Sequence, residues 1–212
     1  MTEVYHDGHR KLQEAFGVKP MADRLAETII QSTISPEDQK YIEKQNMFFL
    51  ATVDADGNPN CSYKGGAVGF VRVLDESTLA FPSYDGNSMF LSMGNILVTS
   101  KVGLLFINFN RQTRLRVNGE ASIDLADPLL AEYHEADMIV RVKVQQVFPN
   151  CPRYIHKMQQ IEESEFIPKS TCQTPAPPWK NLAVVADVLP DKDKHLAGND
   201  QDRFKAINRE IE

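Results

Sequence analysis

The stretch from residue 47 to residue 148 most constrains the fold, because it breaks into short apolar runs separated by tight turns. Residues 48–53 (FFLATV) are aromatic and β-branched, the composition of a strand. Asp54-Ala55-Asp56-Gly57 is a turn, with Gly57 free to take a positive φ. A second strand covers residues 59–64, and Gly65-Gly66 then breaks or bulges the chain. Residues 70–74 and 78–82 form a hairpin across Asp75-Glu76-Ser77. After the polar loop 83–87, residues 88–96 carry helical spacing through Met89, Phe90 and Met93. Strands follow at 102–109 and 114–123, a short helix from Asp127-Pro128 to about residue 135, and a last long strand at 138–147. About six strands at this spacing predict a sandwich or a closed barrel, mainly β with flanking helices. Closure removes the exposed edges that such a small sheet would otherwise present.

The flanks have a different character. The first 45 residues read as helical, with Leu25, Ile29 and Ile30 on one face of 22–31. Ser35-Pro36-Glu37-Asp38 is a helix start: Ser35 caps, Pro36 suits the first turn, and Asp38 stands at the box position. That helix runs to about residue 44. Beyond the strands, Asn150-Cys151-Pro152 opens a helix to about residue 163. Residues 174–179 (TPAPPW) exclude a regular helix or a central strand. The charged tail ends in a short helix over 202–211. The expected organisation is a helical extension at 1–45, a barrel domain at 46–165, and a Pro-rich segment with a charged tail at 166–212.

The net charge of −6 argues against a broad nucleic-acid surface, which needs clustered Lys and Arg. A local phosphate pocket remains compatible with it. Three scattered cysteines, Cys61, Cys151 and Cys172, form neither a disulfide framework nor a zinc spacing and suit a reducing compartment. His134 and His156 are isolated and give no metal spacing. No apolar leader is evident at the N-terminus, and the apolar run around 102–109 is too short to span a bilayer. A cytoplasmic location, with no membrane contact, is the expectation.

Three segments carry candidate chemistry. Ser62, Tyr63, Lys64 and Gly65 end a strand, where a hydroxyl, an ammonium and glycine-flanked amides suit a phosphate. The plain alternative is a solvated lysine beside a bulge. Pro82, Ser83 and Tyr84 lead into Asn87 and Ser88, where a helix N-terminus offers N–H groups to an anion. The alternative there is Asn87 as a simple cap. Arg114 and Arg116 share one face of a strand, either toward an anion or as an outer surface with ion pairs. No nucleophile elbow, Walker loop or Rossmann fingerprint is present.

The ordered series FFLATVDADGNP, SYKGG, GFVRVLDESTLAFPSYDGNSMF, GNI, VGLLFINF and RLRVNGEA resembles the pyridoxamine 5′-phosphate oxidase-like flavoproteins, over about residues 40–165. It is most similar to the stand-alone FMN-binding branch. The resemblance implies a split β-barrel of Greek-key type, built as a homodimer with FMN at the subunit interface. It places Ser62, Tyr63, Lys64 and Gly65 against the flavin and its phosphate. Pro82, Ser83 and Tyr84 run along the isoalloxazine edge, and Asn87 and Ser88 stand at the phosphate. Ser88 replaces a frequent arginine. Asn95 is a frequent family element, structural or cofactor-adjacent. Arg114 and Arg116 lie on a strand that approaches the cofactor from the partner subunit.

The implied activity is electron or hydride transfer through FMN to a small substrate, with NAD(P)H as a partner. A basic substrate-phosphate cluster near the C-terminus is missing around residues 192–195, which turns the reading away from vitamin B6 oxidation. Alternatives are a non-catalytic flavin carrier or stress protein, a haem-handling split barrel, and a deazaflavin cofactor.

Overall fold

The computed structural model describes residues 4–198. The chain divides into two compact units, Met1–Ile161 and Glu162–Glu212. The predicted helix at 202–211 lies outside the described residues.

The first unit opens with helices α1 (Asp7–Ala15), α2 (Lys19–Ile29) and α3 (Pro36–Ile42). The expected helix start at Ser35 is present as a full capping box: Asp38 N donates to Ser35 Oγ at 3.1 Å, and Ser35 N donates to Asp38 Oδ2 at 3.2 Å. Seven strands follow: β1 (Met47–Val53), β2 (Pro59–Gly65), β3 (Arg72–Asp75), β4 (Thr78–Tyr84), β5 (Lys101–Asn108), β6 (Thr113–Asp124) and β7 (Ala136–Pro149). Helix α4 (Leu91–Thr99) stands between β4 and β5.

The strands form one antiparallel sheet in the order β2-β1-β5-β6-β7-β4-β3. The sheet curls round one main core, with a smaller cluster of Ala80, Tyr133 and Ile139 beside it, but does not close, so β2 and β3 remain its two ends. This is the split β-barrel that the resemblance implies, with seven strands for the about six expected; strand spacing alone left a sandwich or a closed barrel, and the sheet is neither. Alternation explains the core. Along β1 the residues Phe48, Leu50 and Thr52 are buried, and along β5 so are Val102, Leu104 and Phe106. The Phe48 ring meets the Phe81 ring edge-on at 5.0 Å and lies 5.2 Å from the Phe106 ring. Aromatic burial of this kind is a main source of stability in a small barrel.

Two glycines are required by the backbone. Gly57 turns the β1–β2 hairpin at φ 88°. Gly119, opposite a bulge in β7 at Gln145, lies so close to β7 that a Cβ would stand 2.2 Å from the Lys143 carbonyl oxygen.

Three local expectations are corrected. The helix expected at 88–96 starts only at Leu91, because Ser88 and Phe90 take left-handed φ values of 61° and 49°. The helix expected at 128–135 is a single tight 3-10 turn, Pro128–Glu132, capped by Asp127. The helix expected at 150–163 is absent. Tyr154 is left-handed at φ 74°, and the backbone there bonds elsewhere. Met158 N donates to the Phe109 carbonyl at 3.3 Å, and the Ile155 carbonyl accepts from Gln112 Nε2 at 2.7 Å.

In the second unit the described residues hold short 3-10 turns at Pro178–Asn181, Ala183–Val185 and Asp191–Leu196. Lys180 Nζ donates to Asp193 Oδ2 at 2.8 Å. As the prolines predict, residues 174–177 are irregular.

Candidate functional site

β2 departs from the rest of the barrel in what it turns inward. Paired residues in an antiparallel ladder project to the same side. Lys64 pairs with Phe48, Ser62 with Leu50, and Asn60 with Thr52. All three partners on β1 are buried. Asn60, Ser62 and Lys64 therefore lie on the inner side of an end strand, half-buried, where the other strands place hydrocarbon. Cys61 and Tyr63 face outward and are exposed.

The buried side of α4 faces this polar row. Ser92, Met93 and Ile96 are its buried residues. Ser92 Oγ lies 3.0 Å from Ser62 Oγ and donates to Asn60 Oδ1 at 3.2 Å. One turn on, Asn95 Nδ2 donates to Thr52 Oγ1 at 3.1 Å, and Thr99 Oγ1 donates to the Val53 carbonyl at 2.7 Å. These bonds clasp α4 against β1 and β2.

A cleft of about 300 Å³ opens between β2, the end of β4 and the start of α4. Six residues expected at a site line it: Ser62, Lys64, Ser83, Tyr84, Asn87 and Ser88. Lys64 is its cation. Burial lowers the Lys64 pKa below the ordinary lysine value, and no carboxylate offsets that burial among the described residues. Burial likewise raises the pKa of the Tyr84 hydroxyl. Asn87 Oδ1 accepts from Met89 N at 3.1 Å, so it closes a local turn and does not cap α4.

The other six residues are placed differently. Tyr63 is on the outer side of β2, its ring 6.1 Å from Phe49. Gly65 ends β2, where a Cβ would meet the Tyr63 ring at 2.8 Å. Pro82 is buried within β4 opposite Ile139. Asn95 bonds to Thr52 behind the cleft wall. Arg114 and Arg116 alternate with buried Leu115 and Val117, which puts them on the opposite side of β6 from the core. Arg114 Nε is buried there without a hydrogen-bond partner among the described residues.

Sequence reading missed Asn60, Ser92 and the apolar floor of Phe90, Leu91 and Met93. Ser92 carried a signal: it occupies the buried helical stripe with Ile96 at i+4, where a hydroxyl needs a partner.

A polar end strand, a lysine with no carboxylate partner among the described residues and a helix clasped over them define a split-barrel protein with a polar cleft. The chain belongs to the pyridoxamine 5′-phosphate oxidase family, whose sequence model matches residues 34–163. No curated protein matches it. Among solved structures it is similar to a Lactobacillus delbrueckii protein named for pyridoxamine 5′-phosphate oxidase, at 30% identity over 56% of this chain and 95% of that one, with a TM-score of 0.46. It is also similar to an FMN-binding protein from Syntrophomonas wolfei (16% identity, 67% and 96% covered, TM-score 0.39). A third is HutZ, a haem storage protein from Vibrio cholerae (19% identity, 54% and 93% covered, TM-score 0.41). Membership rests on the sequence match to the family and not on these superpositions. No helix among the described residues is long and apolar enough to cross a membrane.

Proposed function

We propose that the chain binds FMN in the cleft between β2, β4 and α4, and uses it to pass electrons or hydride between NAD(P)H and a small substrate. The observation that carries this reading is Lys64, a half-buried ammonium with no carboxylate partner among the described residues, at the mouth of a polar row. Such a group calls for an anion.

The residues suit FMN in kind. Lys64 would take the phosphate, with Asn87 and Ser88 beside it. Asn60 and Ser62 would meet the ribityl chain. Ser83 and Tyr84 of β4 would bound the ring and its edge, whereas Tyr63, Gly65 and Pro82 lie outside the cleft in this chain. Asn95 would hold α4 in place. Bound FMN would supply the redox chemistry, and the protein would position it and exclude water.

Arg114 and Arg116 lie outside this cleft in their own chain. In a homodimer they would reach FMN held by the second copy. Supporting an assembly, Phe90, Leu91, Leu97 and Val98 of α4 and its approach are all exposed. Light scattering is expected to return the mass of two chains. The cytoplasm, with its NAD(P)H and reducing poise, is the proposed location.

The visible spectrum of the purified protein tests the cofactor, with the released chromophore weighed by mass spectrometry. A flavin spectrum with FMN near one per chain is expected, bleached by NAD(P)H. A colourless protein that takes up no added FMN would overturn the reading. Flavin that NAD(P)H leaves oxidised would point to a carrier instead. An F420-type mass would identify a deazaflavin, and a Soret band on haem addition would redirect the assignment to haem.

A further inference from the structure

We propose that Ser62 acts on the ligand as a hydrogen-bond acceptor, held to that role by Ser92, so that β2 selects a molecule presenting a hydroxyl between two acceptor groups. This rests on the flavin reading above and adds a specificity to it.

The direction of the hydrogen bonds carries the inference. A serine hydroxyl has one proton and two lone pairs. Ser92, 6% exposed, donates its proton to Asn60 Oδ1 at 3.2 Å. The 3.0 Å contact between Ser92 Oγ and Ser62 Oγ then needs a proton from Ser62. With that proton directed into the wall, Ser62 offers the cleft only lone pairs. Asn60 is left the opposite way round. Its oxygen takes the Ser92 proton, and its amide N–H groups make no hydrogen bond among the described residues. Lys64 is also a pure donor.

Asn60, Ser62 and Lys64 follow one another on the inner side of β2, about 6.8 Å apart at each step. The row therefore reads donor, acceptor, donor. Its complement is acceptor, donor, acceptor. A phosphate against Lys64, a polyol hydroxyl donating to Ser62, and an oxygen or ring-edge acceptor against Asn60 meet that order. Sulfate does not, because it has no donor for Ser62.

Full-length protein stripped of flavin is titrated with FMN and with its 2′-, 3′- and 4′-deoxy analogues, following flavin fluorescence. One analogue is expected to bind wild type roughly 10-fold more weakly than FMN, the scale of one hydrogen bond with a buried partner left unmet. Ser62→Ala should cut that ratio to less than about 2-fold, whereas FMN itself still binds. Ser92→Ala, which returns the Ser62 proton to the cleft, should also shrink the ratio. A merely structural Ser92 would weaken FMN and its analogues alike and leave the ratio unchanged. Ser62 is at the cleft wall, so the test does not depend on the Ser92 variant folding. FMN binding with equal ratios in wild type and Ser62→Ala overturns this inference alone. Wild type that binds no FMN removes the flavin reading and this inference with it.

Discussion

Lys64 of β2 stands directly opposite Phe48 of β1 in the antiparallel ladder, so an ammonium and a fully buried ring leave the sheet on the same side. The ring anchors the core, and the ammonium lines the cleft. A half-buried charge with no ion-pair partner among the described residues opposes folding unless a ligand anion meets it.

Replacing that charge should separate stability from binding. Lys64→Met is expected to weaken FMN binding by roughly 10- to 100-fold, the loss of a charge-assisted bond of about 1.5–3 kcal/mol. The flavin-free variant should be more stable than wild type at neutral pH. Burial lowers the Lys64 pKa, so over a window below the ordinary value of 10.5 the unfolded chain holds a proton the folded chain has released. Wild-type stability therefore gains from this group as pH rises through that window, and the gap to the variant narrows. Denaturant unfolding at pH 7 and pH 10 reads both effects. An equal gap at the two pH values would contradict them.

Asp127 and Arg141 make the second test. Arg141 Nε donates to Asp127 Oδ2 at 2.5 Å and Nη2 to Oδ1 at 3.0 Å, while Leu129 N donates to the same Oδ1 at 2.9 Å. These bonds, the Arg141 one foremost, hold the carboxyl below its ordinary pKa of 3.8. The stability they contribute is present above that ordinary value and is lost as pH falls through the lowered one. Asp127→Asn is expected to cost about 2 kcal/mol at pH 7 and to flatten the acid limb of the stability curve. Urea titrations from pH 7 down to pH 3 would show it.

Gly119 should tolerate no side chain. An alanine Cβ would have to displace the β7 backbone at Lys143, so Gly119→Ala is expected to destabilise by about 3 kcal/mol. Any protein that does fold should bind FMN normally, because the bulge is not part of the cleft. A melting curve matching wild type would sink the prediction.

Among the three exposed cysteines, Cys151 should react first with iodoacetamide at neutral pH. Bonds from the Arg153 backbone and side chain, the latter with Nε 3.1 Å from Sγ, lower its thiol pKa. Arg153→Ala should slow the labelling several-fold, as followed by mass spectrometry of the peptides.

Much of the frame was legible because local rules and tertiary packing agreed. The Ser35–Asp38 box, the Gly57 hairpin and the alternation of Phe48, Leu50 and Thr52 are all written within a few residues. Residues 150–163 misled for the opposite reason. Their helical start signal is real, but Tyr154 turns left-handed and backbone groups at Ile155 and Met158 bond to other parts of the unit. The candidate cleft was legible where it lies on a strand end, at Ser62 and Lys64. The helical stripe marked Ser92 as a buried hydroxyl in need of a partner, but not which one, because that partner is Ser62, thirty residues earlier in the chain. Strand period placed Arg114 and Arg116 together, but it could not say which side of the barrel they occupy.

The order of the sheet has one more consequence. β2 is one end of the sheet and β4 adjoins the other, so the two strands that border the cleft share no ladder. The gap between them can breathe without breaking a rung. A molecule lodged across it would act as a splint, joining through its own contacts two edges that the polypeptide leaves unjoined. Its arrival would be felt as slower amide exchange along β2 and β4 together, with the middle of the sheet unchanged.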